Sequence, residues 1–178
     1  MSYFYRQMSK YNIMKTIETS ILEKLDNEIT HVLKIGAVKK SSGVIIKINH
    51  SDFFKDKLMM IKVIRTGVPY SLFTIIQDYT PFSDKDWSTF LDISTKSLTR
   101  YKQSTKNFKP IHSEKIIEMA EVTNIGLDVF GSVEKFKLWL DTPNFALGNI
   151  KPIDLLRDSY GKELVISELT RINYGILV

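Results

Sequence analysis

The chain has 178 residues, enough for one well-buried domain or two small ones, and 43% hydrophobic with 25% charged residues describes a folded globular protein. Zero cysteine excludes disulfides, thiol catalysis and thiolate metal sites and fits a reducing compartment; with no apolar run of the roughly 20 residues a membrane span needs, and no apolar signal core in MSYFYRQMSKYN, a cytoplasmic protein without a membrane partner is expected. The net charge of +5 divides unevenly, with ten acids against seven Lys or Arg in residues 114–178 and ten acids against eighteen in residues 1–113, so a basic front and an acidic back point to two surfaces with different partners.

The first twelve residues are aromatic and basic without a period and read as a weakly held arm. From Ile13, the positions Ile17, Ile21, Leu22, Leu25, Ile29, Val32 and Leu33 follow helical spacing and predict an amphipathic helix that stops near Gly36. Residues 43–48, Gly-Val-Ile-Ile-Lys-Ile, are the one good strand candidate. A lone strand cannot pair its own backbone, so it pairs within the chain, pairs with a second copy, or stays an extended connector.

From Asp52 a helix carrying Phe53, Leu58, Ile61 and Ile64 is predicted to end at Gly67, and Pro69 opens the next, Tyr70–Tyr79, closed by Thr80 and Pro81. Ser83 caps a short helix and forms a capping box with Asp86, while Trp87, Phe90 and Leu91 take its buried side. Asp92 and Ile93 make a turn, and Ser94 caps Thr95–Gln103 with Leu98 and Tyr101 facing inward. Two short helices joined by a tight turn with an apolar residue in it are the geometry that lets the second helix enter a major groove.

Residues 93–113 contain no acid, while Lys96, Arg100, Lys102, Lys106 and Lys109 are basic. Phosphate neutralisation requires such a run. Ser94, Thr95, Lys96, Ser97, Arg100 and Lys102 are therefore the candidate DNA contacts, the hydroxyls reaching phosphates or base edges from the helix N-terminus. The plainer reading is a solvated helix face. Ser113 is predicted to cap a long helix over 114–130 with Ile116, Ile117, Met119, Ala120, Val122 and Leu127 as its stripe and Gly131 as its stop, and Ser132 to cap one carrying Val133, Phe136, Trp139 and Leu140.

After Asp141 the chain reverses twice. Pro143 and Asn144 break the helix, Gly148 and Asn149 suit the left-handed conformation, Pro152 opens a further helix, and Leu164, Val165, Leu169 and Ile172 then recur at helical spacing before Gly175. No catalytic set emerges. His31, His50 and His112 lie far apart with no acid or cysteine at ligand spacing, so neither a metal nor another cofactor is expected. Gly161-Lys162 lacks the rest of a phosphate loop, and Asp154 with Asp158 reads as a solvated pair.

The run WL-x-x-PN-x-ALG-x-x-x-P-x-DLL from Trp139 to Leu156, with Gly161 and then L-x-RI-x-x-G from Leu169 to Gly175, resembles the toxin-binding domain of the Xre/MbcA/ParS family of bacterial antitoxins. Two positions depart from that pattern: Asn149 stands where the family usually has a second Gly, and Asn173 where it has Glu or Gln. The helix, Gly-Val-Pro, helix sequence around Gly67 also resembles the way that family enters its DNA-binding core, and the likeness fades toward the N-terminus.

The resemblance implies a mainly α, non-enzymatic antitoxin with a helix-turn-helix domain (52–131) and a toxin-binding domain (132–178); the N-terminal extension (1–51), whose strand candidate precedes the family's usual start, is the candidate dimerisation element. The implied partners are operator DNA, bound by a homodimer or a higher hetero-oligomer, and a RES-domain toxin, an enzyme that depletes NAD and whose site the last helices would cover. Lys162, Glu163, Glu168, Arg171, Asn173 and Tyr174 are the candidate toxin contacts, because the apolar stripe leaves them over. Arg171 either pairs with a carboxylate on the toxin or holds the module together locally. The competing expectation is a stand-alone regulator whose C-terminal module only oligomerises.

Overall fold

The computed structural model describes residues 2–35, 47–104 and 106–176, with side chains from residue 16 onward except that of residue 35. Its described residues form ten α-helices and one 3₁₀ turn, with no strand. They are α1 (Ser2–Ile35), α2 (His50–Lys55), α3 (Lys57–Thr66), α4 (Tyr70–Tyr79), α5 (Asp84–Phe90), α6 (Thr95–Gln103), α7 (Pro110–Phe130), α8 (Val133–Asp141), the 3₁₀ turn Phe145–Leu147, α9 (Pro152–Leu155) and α10 (Ser159–Asn173). The mainly α class is as expected.

α7 is the axis. Ile116, Ile117, Met119, Ala120 and Val122 are buried along it, and it packs against α3 and α4 on one side and α8 and α10 on the other. Gly126 lets α8 come close: a Cβ there would meet the Phe136 ring at 2.4 Å. Gly131 ends α7 in the left-handed conformation with φ 70°. α1 lies along α4, burying Leu25, Ile29, Val32 and Leu33. His50 donates its backbone N–H to Asp26 Oδ1 at 2.7 Å, and its ring Nδ1 lies 2.8 Å from the same oxygen, which ties α2 to α1.

Several expectations are corrected. Residues 2–12, expected to lack a regular period, are helical and form the start of α1. No Pro or Gly interrupts residues 2–35, and extending a formed helix costs far less than starting one. The helix expected from Asp52 to Gly67 is two, beginning at His50 and broken at Asp56. The Asp56 N–H caps α2 by donating to Asp52 O, and its carboxylate caps α3 by accepting from Leu58 and Met59 N–H at 2.9 and 3.1 Å. The break rotates α3 so that Met60 and Val63 are buried, while Leu58 and Ile61 are exposed. The strand candidate lies outside the described residues over 43–46, and Lys47 and Ile48 are not in a strand. Ile48 instead bonds a side chain, its N–H donating to Thr30 Oγ1 at 3.0 Å.

Ser113 is not a cap. α7 starts three residues earlier, at Pro110, which loses nothing by lacking an N–H in the first turn. Fully buried, Ser113 accepts the Val68 N–H at 2.9 Å and donates its hydroxyl to Phe108 O at 3.2 Å.

Candidate functional site

The helix-turn-helix is α5 and α6. The capping box at the start of α5 is complete, with Asp86 N–H donating to Ser83 Oγ at 3.3 Å and Ser83 N–H donating to Asp86 Oδ2 at 2.8 Å. Trp87 is fully buried edge-on to Phe73, Phe82 and Phe90. In the turn Asp92 takes a positive φ of 49°, tolerated because a short polar side chain visits that region at low cost. Leu98 pins α6 to the core.

The far end of α6 is held by an aromatic stack. Tyr101 lies on Phe108 with centroids 4.0 Å apart and 19° between planes, and its hydroxyl is 3.4 Å from His112 Nδ1. Burial lowers the His112 pKa, Lys109 lowers it further, and Asp92 opposes both. Phe108 N–H donates to Val68 O at 2.8 Å, and a Cβ on Gly67 (φ 88°) would meet Phe108 O at 2.6 Å. The Gly-Val-Pro link thus fixes the segment that follows α6.

Of the candidate DNA contacts, Ser94 and Ser97 are engaged in capping: Ser94 Oγ accepts the Ser97 N–H at 3.2 Å, and the two hydroxyls are 3.1 Å apart. Thr95, Lys96, Arg100 and Lys102 are exposed. Among the described residues no acid pairs with Lys96, Arg100 or Lys102. Lys96 and Arg100 are one turn apart and share a face.

The C-terminal module folds around its breaks. Asn144 pairs with Ile150 across the loop, its N–H donating to Ile150 O at 3.1 Å, while Gly148 (φ 72°) and Asn149 (φ 59°) are both left-handed. Asn149 thus supplies the conformation that Gly gives elsewhere. α10 crosses α9 so closely that a Cβ on Gly161 would lie 2.0 Å from Leu155 O. Glu118 on α7 accepts from Lys162 at 2.8 Å and from Lys115 at 3.3 Å, and Lys115 also donates to Leu156 O at 3.0 Å. This half-buried cluster fastens the module to α7.

The candidate toxin contacts therefore separate. Lys162 is held by Glu118, and Glu168 is buried with Arg171 Nη1 donating to it at 3.0 Å. Glu163, Asn173 and Tyr174 are exposed, and Arg171 is half-exposed. Residues not singled out as contacts stand out beside them: Tyr160 and Leu164 are exposed at 83% and 54%, and with Ser167, Arg171 and Tyr174 they recur at the spacing of one helix face. Leu164 had been placed in the core by periodicity. The signal that corrects it is Gly161, which fixes the buried face on Gly161, Val165, Glu168 and Leu169. Phe145 and Ile150, apolar residues of the same module, are exposed too.

Residues 59–121 match the antitoxin Xre-like helix-turn-helix domain, and residues 126–175 match the antitoxin Xre/MbcA/ParS C-terminal toxin-binding domain. The chain belongs to this antitoxin family. It is also similar to Antitoxin Xre of Yersinia enterocolitica, 32% identical over 85 residues that cover 47% of this chain and 57% of that protein. The match thus spans little more than half the length of that relative. The toxin-binding match begins at Gly126, inside α7, and includes the Glu168–Arg171 pair and the whole exposed stripe of α10. Among the described residues no group of His, Cys, Asp or Glu could hold a metal, and no helix is long and apolar enough to cross a membrane.

Proposed function

We propose that the protein is a type II antitoxin that neutralises a cognate toxin through the outer face of α10 and binds operator DNA through α6 to regulate its own expression. The observation that carries this reading is the exposed stripe Tyr160, Leu164 and Tyr174 inside the region that matches a toxin-binding domain. An exposed aromatic and aliphatic stripe of this kind supplies the anchors that dominate protein interfaces. Glu163 and Asn173 lie at its border, and Lys162 and Glu168 support it from within.

The resemblance of residues 139–175 to the family implies a RES-domain, NAD-depleting toxin, blocked sterically when the last helices cover its active-site entrance. On α6, Lys96, Arg100 and Lys102 meet DNA phosphates, and Thr95 reaches toward a base edge at the helix start. The chain acts by binding and performs no chemistry of its own. Co-expression with the product of the adjacent reading frame tests the reading. A stable complex that restores growth supports it, whereas no complex and no rescue favours the stand-alone regulator.

A further inference from the structure

Successive residues of α6 are turned by about 100° around its axis, so the order of side chains on its exposed side follows from the helical register. Leu98 is buried and Tyr101 half-buried against Phe108, and these two mark the side that faces the body. On the far side lie Thr99 and Gln103, both exposed and one turn apart. Lys102 flanks Thr99 and Arg100 flanks Gln103, each about 60° further round, and Lys96 continues the Arg100 edge toward the helix start. α6 thus presents two uncharged side chains between two cationic edges.

That order matches the cross-section of a major groove, about 12 Å wide, whose walls carry phosphates and whose floor carries base edges. Cations on the two edges reach one wall each, and what stands between them meets the floor. The charge pattern of the sequence picks out neither Thr99 nor Gln103, because neither is ionised. Their free groups differ. Thr99 Oγ1 donates to Thr95 O at 3.0 Å, so its hydroxyl proton is used within the helix and the γ-methyl is the part left for a ligand. Gln103 makes no side-chain hydrogen bond among the described residues, which leaves both its N–H groups and its carbonyl oxygen available. The end of the helix that carries it is fixed, with Ser104 N–H donating to Tyr101 O at 3.2 Å and the Tyr101 ring stacked on Phe108. In a major groove an apolar methyl suits the C5-methyl of thymine, and a carboxamide pairs with N6 and N7 of adenine.

We propose that Thr99 and Gln103 read base pairs on the groove floor, Thr99 by contact with a thymine methyl and Gln103 by paired hydrogen bonds to an adenine, while Arg100 and Lys102 hold the two phosphate walls. Four residues of helix rise about 6 Å, close to two base-pair steps, so the two preferences fall about two base pairs apart. This role presupposes that α6 enters DNA, as proposed above, and adds which bases the helix selects.

Selection from a pool of random-sequence duplexes tests this, with the full unaltered chain and with its Thr99→Ser and Gln103→Ala variants. Thr99→Ser keeps the hydroxyl and removes only the methyl, and both positions are exposed, so all three chains are expected to melt at the same temperature. The unaltered chain is expected to enrich sites holding a thymine and an adenine about two base pairs apart, Thr99→Ser to lose the thymine preference and Gln103→Ala the adenine preference. On the enriched duplex, uracil in place of that thymine removes the C5-methyl alone and is expected to weaken the unaltered chain about fourfold, with no effect on Thr99→Ser. Replacing the adenine by 7-deazaadenine, which lacks N7, is expected to weaken it about tenfold, with no effect on Gln103→Ala. A variant that enriches the same site as the unaltered chain removes its residue from this role, and both doing so overturns the proposal, as does an unaltered chain indifferent to uracil and 7-deazaadenine. A chain that enriches no duplex, and whose Lys96→Ala, Arg100→Ala variant binds DNA no more weakly, overturns the DNA reading itself and this role with it.

Discussion

Along α6, Lys96, Arg100 and Lys102 stand exposed with no acid paired to them among the described residues, whereas on α10 Lys162 and Glu168 are engaged inside the molecule, with Glu118 and Arg171. The helix-turn-helix is held in place by apolar packing and caps, through Trp87, Leu98 and the Tyr101–Phe108 stack, so its charges remain available to a ligand. α10 is held by a close glycine contact and ion pairs, so that of its four charges Lys162, Glu168 and Arg171 are engaged and Glu163 is not, and its exposed stripe carries Tyr160, Leu164 and Tyr174.

The strongest way to break the comparison is to spoil one module's packing and leave the other's. Gly161→Ala places a methyl 2.0 Å from a backbone oxygen that cannot swing away, so it is expected to destabilise the C-terminal module by roughly 1–3 kcal/mol or more and to abolish neutralisation in a growth-rescue assay, while operator binding persists. Loss of both activities would show that the halves do not fold separately.

Leu164→Glu leaves the core untouched because the side chain is exposed. It is expected to cost about 2 kcal/mol of toxin affinity, some thirtyfold, by calorimetric titration, with an unchanged melting temperature. Replacing Lys96 and Arg100 by Ala sharpens the comparison from the other side. Operator binding should weaken, and the slope of log affinity against log salt should fall by about two, with neutralisation intact.

The smallest effect concerns pH. The folded His112 pKa lies below its ordinary value because of burial and Lys109, so the unfolded chain takes up the proton first as pH falls. The contribution of His112 is complete above the unfolded pKa near 6.5 and is lost as pH drops through that value toward the folded one. His112→Gln should flatten that part of the melting-temperature profile between pH 7 and 5.

How far the residues announced these features follows from what each depends on. Caps and stops are local, and Ser83 with Asp86, Ser94, Gly131, Gly148 and Asn149 all act where short-range rules place them. The break at Asp56 did not announce itself, because one Asp acting as C-cap of one helix and N-cap of the next leaves the apolar count almost unchanged. Ser113 misled for a related reason: serine three residues into a helix reads as a cap unless Pro110 and the distant Val68 N–H are considered together. At the candidate toxin face, periodicity assigned Leu164 to the core, since three apolar residues at neighbouring helix positions do not say which edge of the stripe is covered. That is decided by Gly161 against Leu155, a contact between separate elements. The acid-free interval over 93–113 needed no tertiary knowledge, so the basic face was the easier of the two to find.

The most direct test of a molecule with two separate faces is to measure operator affinity and growth rescue side by side for Leu164→Glu and for the Lys96→Ala, Arg100→Ala pair. The account predicts that the first loses rescue and keeps DNA binding, and that the second does the reverse. A Leu164→Glu chain that rescues growth as well as the unaltered chain, or either variant losing both activities, would contradict it.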